Sequence, residues 1–262
     1  MIVNRDIDNG KGFDWGRASE DYAKFRDIYP DAFYQRIMDL GLCVKGQSVL
    51  DLGTGTGVLP RNLYQYGAKF IGADISENQI AEARRLSADA GVEIDYIVAS
   101  AEDVRFPEKS FDAVTACQCF QYFDKTAVLP NIHKMLKDGG HFCILFMAWL
   151  PEESDIAVRS EELVLKYNPA WTGGGMTRHT LEPPDWAPPL FETERAETFD
   201  ADVPFTRESW HGRMKACRGT GASSMAPEAL AAWEATHFAY MRGCPETFTV
   251  PHCVSMLVLR KR

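Results

Sequence analysis

A glycine-rich stretch, Val49–Gly57, is the feature that most restricts how this chain can fold. Its apolar first half predicts a buried strand over 48–52, and the alternating glycines predict a tight turn that opens a helix. Leu59, Leu63 and Tyr66 follow at helical spacing, and Gly67 stands where such a helix would end. Glycines let backbone N–H groups approach a ligand, and a helix N-terminus favours negative charge. The stretch therefore predicts a nucleotide-type site at the first strand of an α/β sheet.

The spacing of the glycines indicates which nucleotide fits. A dinucleotide fingerprint, G-x-G-x-x-G, would need a glycine where the chain has Val58. Asp51 ends the strand just before the turn, and its carboxylate would repel a pyrophosphate but attract a ligand that carries an amine and a sulfonium. S-adenosylmethionine (SAM) carries both groups. A plain glycine turn between a core strand and a helix is the alternative interpretation.

The pattern D-x-G-x-G-x-G, formed by Asp51, Gly53, Gly55 and Gly57, resembles the first motif of the class I SAM-dependent methyltransferases. The likeness is to the small-molecule enzymes of the trans-aconitate and ubiquinone-biosynthesis-like group. It implies a Rossmann-like α/β fold, with a seven-stranded, mostly parallel sheet and helices on both faces. It also implies that SAM is the cofactor, that S-adenosylhomocysteine is the product, and that these glycines and Thr54 contact the cofactor.

The second predicted strand, residues 69–75, ends at Asp74 and Ile75, where the resemblance places the ribose of the cofactor. A carboxylate can accept hydrogen bonds from both ribose hydroxyls. Ser76 and Gln79 then predict a capping box that starts the next helix. A merely solvated acid is the alternative interpretation of Asp74.

A third strand is predicted over 93–98, and the turn after it is where the family holds the adenine. The resemblance assigns Ser100, Ala101 and Glu102 to this turn. Ser100 stands where relatives often have Asp, so Glu102 is the preferred acceptor for the adenine amino group and Ser100 a polar supporter. A surface cluster of acids is the alternative.

The fourth predicted strand runs into Cys117–Asp124, which resembles the segment A-x-Q-x-x-H-W-F-D of trans-aconitate-type methyltransferases. Here Gln121 and Tyr122 replace His-Trp, so the chain lacks an obvious general base at this point. The resemblance places Cys117 and Gln118 beside the cofactor and Gln121 in the reaction chamber. Because no second cysteine pair occurs at zinc spacing, we expect no metal site.

The N-terminal segment carries Tyr22 and Arg26 one helical turn apart, so they would share a helix face. The run around them, followed by Tyr29-Pro30, resembles the segment that closes over the cofactor in many small-molecule methyltransferases. Both residues are therefore candidate cofactor contacts, and Tyr22 is also a candidate catalytic residue. An ordinary packing helix with a charged outer side is the alternative.

Beyond the fourth strand we expect a helix over 128–137 that has Pro130 in its first turn and is stopped by Gly139 and Gly140. A fifth strand over 141–148 and a lid insertion over 149–189 should follow. The C-terminal part then completes the sheet, with strands over 191–199 and 247–261 and helices over 208–214 and 226–242. These elements predict one SAM-dependent methyltransferase domain over 1–262, with its cofactor-binding core at 14–148 and its C-terminal part at 190–262.

Composition restricts the partners. A net charge of −9 argues against a broad nucleic-acid surface, and the longest apolar run is too short to span a bilayer. The polar start does not resemble a signal peptide, and seven scattered cysteines are typical of the reducing cytoplasm. We expect a cytoplasmic monomer or homodimer.

The methyl acceptor is expected to be a small acidic or aromatic molecule. Arg26, Tyr22, Arg178 and His179 are candidates for binding its carboxylate or taking up a proton, and His179 joins Tyr22 and Gln121 as a candidate catalytic residue. The candidates for the walls of the acceptor pocket are Trp149, Trp171 and Trp186. Two rival functions are a sensor that binds SAM without turnover and a nicotinamide-dependent oxidoreductase.

Overall fold

The computed structural model describes residues 1–182 and 184–262, so Pro183 of the predicted lid lies outside the described residues. Seven strands form one sheet in the order β3-β2-β1-β4-β5-β7-β6. The strands are β1 Ser48–Leu52, β2 Lys69–Asp74, β3 Asp95–Val98, β4 Phe111–Cys117, β5 Leu136–Trp149, β6 Phe191–Thr206 and β7 Thr247–Lys261.

The first five strands pair in parallel: β1 with β2 and β4, β2 with β3, and β4 with β5. The strand order reverses at β1, because β2 and β3 lie on one side of it and β4 and β5 on the other. In open α/β sheets, ligands bind at the carboxyl ends of the strands where this reversal occurs. The topology therefore agrees with the predicted fold class and directs attention to the turn after β1.

Eight helices accompany the sheet in the described part of the chain. They are α1 Ser19–Phe25, α2 Asp31–Asp39, α3 Val58–Leu63, α4 Glu77–Asp89, α5 Lys125–Met135, α6 Asp155–Tyr167, α7 Arg207–Lys215 and α8 Pro227–Met241. Short 3-10 turns precede α1 and follow α3, and another precedes α5.

The helix after the glycine turn is shorter than predicted. Leu59 and Leu63 are buried, but the α-helix ends at Leu63 and a 3-10 turn carries Tyr66, which is 38% exposed. The tighter winding of a 3-10 turn rotates the later side chains away from the α-helical face. Tyr66 therefore lies beyond the end of the α-helix that was expected to contain it, whereas Gly67 ends the segment in the left-handed conformation, as predicted.

The prediction for α5 was also wrong at both ends. The Asp124 side chain accepts a hydrogen bond from the Thr126 N–H, so the helix begins at Lys125 and Pro130 lies in its interior rather than in its first turn. The chain then enters β5 at Leu136, with Gly139 in the left-handed conformation and an irregular register opposite β4. The glycines expected to stop the helix instead lie within the strand.

The described residues form two compact units. Unit 1 comprises Met1–Ile28, Ala148–Arg178 and Asp200–Cys253, and unit 2 comprises Tyr29–Met147, His179–Phe199 and Val254–Arg262. The core of unit 2 contains Leu50, Leu52, Val114 and Phe142, whereas Trp210 and Trp233 are fully buried in unit 1.

The predicted lid does not form a unit of its own. Its residues up to Arg178, including α6, belong to unit 1, and those from His179 onward belong to unit 2. Its role as a lid stays a prediction. Within residues 1–182 and 184–262, no helix combines the length and the apolar character needed to cross a bilayer.

Candidate cofactor site

The turn between β1 and α3 is held in a conformation that needs glycine. Gly53, Gly55 and Gly57 all have positive φ, at 65°, 57° and 73°. A Cβ atom at Gly53 would lie 2.6 Å from Cys119 Sγ, and one at Gly57 would lie 2.3 Å from the Tyr96 hydroxyl. Side chains are thus excluded by both backbone strain and close packing, which leaves the backbone of the turn as its binding surface.

Asp51 lies at the centre of this site but is almost completely buried, with 2% exposure. The Thr115 hydroxyl donates to its Oδ1 at 2.6 Å across the β1–β4 pair. Burial raises the pKa of Asp51 to about 6, although the hydrogen bond from Thr115 acts in the opposite direction. A nearby cation would therefore stabilise the ionised carboxylate and lower this pKa.

Asp74 connects the end of β2 to the glycine turn. Its Oδ2 accepts from the Gly55 N–H at 2.9 Å, and its Oδ1 accepts from the Ser76 N–H at 2.8 Å. Burial raises the pKa of Asp74, and the two backbone N–H groups partly offset this effect. Because each carboxylate oxygen has two lone pairs, the hydrogen bonds to the backbone leave capacity for two ligand hydroxyls.

Two apolar side chains at the carboxyl ends of neighbouring strands are exposed. Ile75 follows β2 and is 55% exposed, and Val98 ends β3 and is 48% exposed. An apolar side chain beside Asp74 suits a flat, partly apolar ring attached to a ribose.

The predicted adenine turn has a different hydrogen-bond arrangement from the one expected. The Ser100 hydroxyl donates to Asp103 Oδ2 at 2.7 Å, and Glu102 Oε1 accepts from the Asp124 N–H at 2.8 Å. Ala101 is buried. The Glu102 carboxylate thus binds the start of α5, and Asp103, which the sequence analysis did not single out, is the acid bonded to Ser100.

The segment after β4 is also held by local contacts. Gln118 has a positive φ of 64°, rare for a residue with a side chain, and its amide donates to the Met147 carbonyl. The Gln121 amide donates to the Gln118 carbonyl at 3.0 Å. The Cys117 thiol donates to the Tyr29 hydroxyl at 3.4 Å. A strained backbone at the end of a strand is typical of a functional segment.

The other candidates are divided between the two units. Tyr22 and Arg26 lie in unit 1, where the Arg26 N–H donates to the Tyr22 carbonyl and the guanidinium carbon lies 4.6 Å from the centre of the Tyr22 ring. They share a face, as predicted. His179 lies in unit 2, with its ring edge-on to Phe146 at 5.3 Å.

Arg178 is unsuited to the carboxylate-binding role suggested for it. Its guanidinium donates to both Glu153 and Asp200, which engage Nε, Nη1 and Nη2. Those carboxylates raise its pKa further above an already high value. A ligand would have to displace one of two bidentate partners.

The tryptophans proposed as walls lie in different surroundings. Trp149 and Trp171 are buried in unit 1, and Trp149 donates to Glu161 at 2.6 Å. Trp186 belongs to unit 2 and packs on Phe120, with ring centres 5.6 Å apart. In the part of the chain that the structure describes, no three His, Cys, Asp or Glu side chains are grouped as a metal site would need.

The residues of unit 2 fit SAM better than a dinucleotide. The glycine turn offers backbone rather than side chains, Asp74 suits ribose hydroxyls, and Ile75 suits an adenine face. A buried acid, Asp51, lies where a pyrophosphate would be repelled but an ammonium or sulfonium group would be attracted. Sequence reasoning missed the supporting residues Thr115, Tyr96 and Asp103, because only the folded sheet brings the first two to the turn.

Comparison with known proteins supports the same assignment. The family model described as "Methyltransferase domain" matches residues 50–144. The ubiquinone biosynthesis O-methyltransferase of Pseudomonas entomophila is 30% identical over 161 residues, which cover 60% of this chain and 68% of that protein. The demethylmenaquinone methyltransferase of Thermus thermophilus is 36% identical over 114 residues, or 42% of this chain and 52% of that protein.

Solved structures share the fold. A type II methyltransferase structure from Anaeromyxobacter dehalogenans superposes with a TM-score of 0.55 at 18% identity, covering 90% of this chain and 97% of that one. A methyltransferase structure from Bacillus halodurans gives 0.53 at 18% identity, covering 87% and 98%. Sequence motif, sheet topology and relatives agree, and the chain belongs to the class I SAM-dependent methyltransferase family.

Proposed function

We propose that this enzyme transfers the methyl group of SAM to a small molecule that carries a carboxylate or an aromatic ring. The glycine turn with Asp74 bonded to its backbone is the observation that carries the proposal, because it combines an open backbone surface with an acid for the ribose. Relatives named as methyltransferases support turnover rather than sensing, and Val58, which stands where a dinucleotide fingerprint has glycine, disfavours nicotinamide chemistry.

In this proposal, unit 2 holds the cofactor through residues of four successive strand ends. Asp74 accepts from the ribose hydroxyls, Ile75 packs on the adenine, and Asp51 attracts the positively charged part of the cofactor. Backbone N–H groups of the turn bind its carboxylate. The remaining proposed contacts are Tyr22, Arg26, Gly53, Thr54, Gly55, Gly57, Ser100, Ala101, Glu102, Cys117 and Gln118.

The bound cofactor supplies an already activated methyl group on a sulfonium. The protein therefore has to align the acceptor with that group and exclude water, and a general base is not always needed. Tyr22, Gln121 and His179 are proposed for aligning the acceptor or moving its proton. The amide of Gln121 is oriented by the Gln118 carbonyl, which suits an aligning role better than proton transfer.

An oxygen atom is the proposed nucleophile of the acceptor. The relatives are named for O-methylation in ubiquinone biosynthesis and for methylation of demethylmenaquinone. The matches cover between about half and two thirds of those proteins, so a quinone-related acceptor is a proposal for this chain. The single-domain organisation, the lid at 149–189, the cytoplasmic location and a monomeric or homodimeric state also stay predictions.

Calorimetry with S-adenosylhomocysteine and NAD tests the cofactor assignment. We expect binding of S-adenosylhomocysteine and none of NAD. Asp74→Ala should weaken S-adenosylhomocysteine about 30-fold, or about 2 kcal/mol, because it removes charged hydrogen bonds to two hydroxyls. Asp89→Ala, at the exposed end of α4, should leave the affinity unchanged. Equal affinities for Asp74→Ala and wild type would show that the ribose site is misplaced.

Turnover is tested separately. Pooled metabolites are incubated with methyl-labelled SAM, and transfer of label to a small molecule is expected. Failure of every acceptor, despite tight cofactor binding, would favour the SAM sensor instead.

A further inference from the structure

Four residues form a row across neighbouring strands of unit 2. Tyr96 of β3 is the register partner of Gly72 in β2, and Gly72 is the register partner of Asp51 in β1. Thr115 of β4 completes the row beside Asp51. Register partners in neighbouring strands carry their side chains on the same face of a sheet. Tyr96 therefore lies on the face that carries the Asp51 carboxylate.

Gly72 leaves the space into which the Tyr96 ring fits. A Cβ atom at Gly72 would lie 2.8 Å from two carbon atoms of that ring and 2.9 Å from the Thr54 methyl group. Gly72 is not in the left-handed conformation, so packing rather than backbone strain requires a glycine here. Thr54 belongs to the glycine turn. The ring of Tyr96 and the turn thus share the space over Gly72.

The Tyr96 hydroxyl occupies the position that a side chain at Gly57 would need, 2.3 Å from where its Cβ atom would lie. Helix α4 fixes the tyrosine at both ends. The Ser87 hydroxyl lies 3.0 Å from the Tyr96 hydroxyl, and both side chains are buried. The Arg84 Nη2 donates to the Tyr96 carbonyl at 2.8 Å. A rigid ring is therefore held against Gly57.

Gly57 is the residue that connects the turn to α3. Its N–H donates to the Thr54 carbonyl at 2.9 Å, and its carbonyl accepts from the Arg61 N–H at 3.0 Å. The position of Gly57 thus sets the direction of the backbone on both sides of it. Because glycines give the turn conformational freedom, a binding surface made of its backbone needs support from neighbouring side chains.

We propose that Tyr96 is a positioning residue for SAM, whose hydroxyl, fixed by Ser87, keeps Gly57 in the conformation in which the turn binds the amino-acid end of the cofactor. This inference rests on the proposed function in one respect: the turn binds the cofactor carboxylate. The ribose is assigned to Asp74, which the Ser76 N–H also holds, so ribose binding should depend much less on Tyr96. The two ends of the cofactor are therefore separable by experiment.

Two ligands test this separation without turnover. S-adenosylhomocysteine carries the amino-acid end, whereas methylthioadenosine keeps the adenine and the ribose and lacks that end. Calorimetry should show that the wild-type protein prefers S-adenosylhomocysteine. Tyr96→Phe should reduce this preference about fivefold, the effect expected of one lost hydrogen bond between neutral groups, and leave the affinity for methylthioadenosine within about twofold.

Further variants separate positioning from general stability. Ser87→Ala should reduce the same preference and add nothing to Tyr96→Phe in the double variant, because both substitutions act through one hydroxyl. Asp74→Ala should weaken both ligands alike, since both carry the ribose. Tyr167→Phe is the matched control: it removes a tyrosine hydroxyl that bonds Thr236 at 2.6 Å in unit 1, and it should change neither affinity. Thermal melting identifies any variant that fails to fold.

Gly57→Ala tests the contact itself. The added methyl group would press on the Tyr96 hydroxyl, so the loss of S-adenosylhomocysteine affinity should be smaller in the Tyr96→Phe background than in the wild-type background. An equal loss in both backgrounds would show that the hydroxyl does not position Gly57, and it would overturn the inference.

The wild-type protein distinguishes this inference from the proposed function. If it prefers S-adenosylhomocysteine and Tyr96→Phe keeps the full preference, the inference is overturned and the proposed function stands. An equal loss of both ligands in Tyr96→Phe would give Tyr96 an ordinary structural role and also overturn the inference. If the wild-type protein binds neither ligand, the cofactor site of the proposed function is misplaced, and the inference fails with it.

Discussion

The cofactor site of unit 2 and the arginine group of unit 1, in which Arg26 and Arg213 approach Cys217, are built in different ways. In unit 2, the binding surface is a short continuous turn, and Asp74 holds it through backbone N–H groups. In unit 1, side chains that are distant in the chain meet at one sulfur atom, that of Cys217. A continuous motif fixes its own backbone conformation, whereas a dispersed group of side chains exists only once the chain has folded. The first is visible in a sequence and the second is not.

Burial shifts the pKa of a titrating group in opposite directions in the two units. Unit 2 buries an acid, Asp51, whose pKa is raised to about 6. Unit 1 buries His237, whose pKa burial lowers to about 3. His237 lies between His211, with 2.8 Å between the two Nδ1 atoms, and the Ser160 hydroxyl at 3.0 Å from Nε2. Burial thus favours the neutral form of both groups. Lowering the pH should therefore reduce the contribution of His237 to stability and increase that of Asp51.

The largest effect is expected at a glycine of the turn. Gly57→Ala should lower the free energy of unfolding by about 3 kcal/mol, because a Cβ costs about 1 kcal/mol at positive φ and would also press on the Tyr96 hydroxyl. Ser87 bonds that hydroxyl at 3.0 Å, so the ring cannot easily move aside. Affinity for S-adenosylhomocysteine should fall at least tenfold. Urea unfolding and calorimetry measure the two effects.

Gly91→Ala is the matched control for this substitution. Gly91 has a similar φ of 66°, but a Cβ there would have no atom within 4 Å. We expect a loss of about 1 kcal/mol and no change in cofactor affinity. If both variants lose the same stability, close packing around Gly57 contributes nothing beyond the positive φ. The glycine turn would then not be the tightly packed site that the comparison with unit 1 assumes.

Asp51→Asn should stabilise the ligand-free protein by about 2–3 kcal/mol at pH 7. Between the ordinary pKa of an aspartate, 3.8, and about 6, native Asp51 keeps a proton that the unfolded chain has released. Stability due to this group is therefore present at low pH and lost as the pH rises. Asparagine can still accept from Thr115 and has no charge to bury. The gain should disappear below pH 4, and S-adenosylhomocysteine should bind more weakly.

Urea unfolding of both proteins between pH 4 and pH 8 measures this effect. A gain that does not change with pH would show that the substitution acts through packing rather than through the buried charge.

A smaller effect than that of Asp51→Asn, with the opposite dependence on pH, is expected in unit 1. Below the ordinary histidine pKa of 6.5, an unfolded imidazole takes up a proton that native His237 does not, so stability falls as the pH falls. Between pH 7.5 and pH 5.5, this residue should account for a loss of about 1.4 kcal/mol. His237→Phe should reduce the acid-induced loss by that amount, as measured by urea unfolding at the two pH values. An unchanged loss would assign the acid sensitivity to other groups.

Elements defined by local patterns were predicted well. Strands β1 and β7 have the predicted bounds, and β2 ends at Asp74, within one residue of the prediction. The Ser76 side chain accepts from the Gln79 N–H as the first half of the expected capping box. In each case the signal lies in residues close together in the chain. The prediction failed where two local signals competed, as at α5, where the capping residue Asp124 outweighed the proline preference for a first turn.

By itself the sequence determined the glycine turn, the acid at the end of β2 and the parallel order of an α/β sheet, because backbone conformation and hydrophobic periodicity act over a few residues. Only the tertiary structure decided which side chains surround these elements. Thr115 reaches Asp51 because β4 pairs with β1, and Tyr96 closes on Gly57 because of packing across the sheet. Arg26 and Arg213, which approach Cys217 in unit 1, likewise share no sequence pattern. Contacts between distant residues depend on the packing of the folded chain, and no short stretch of sequence encodes them.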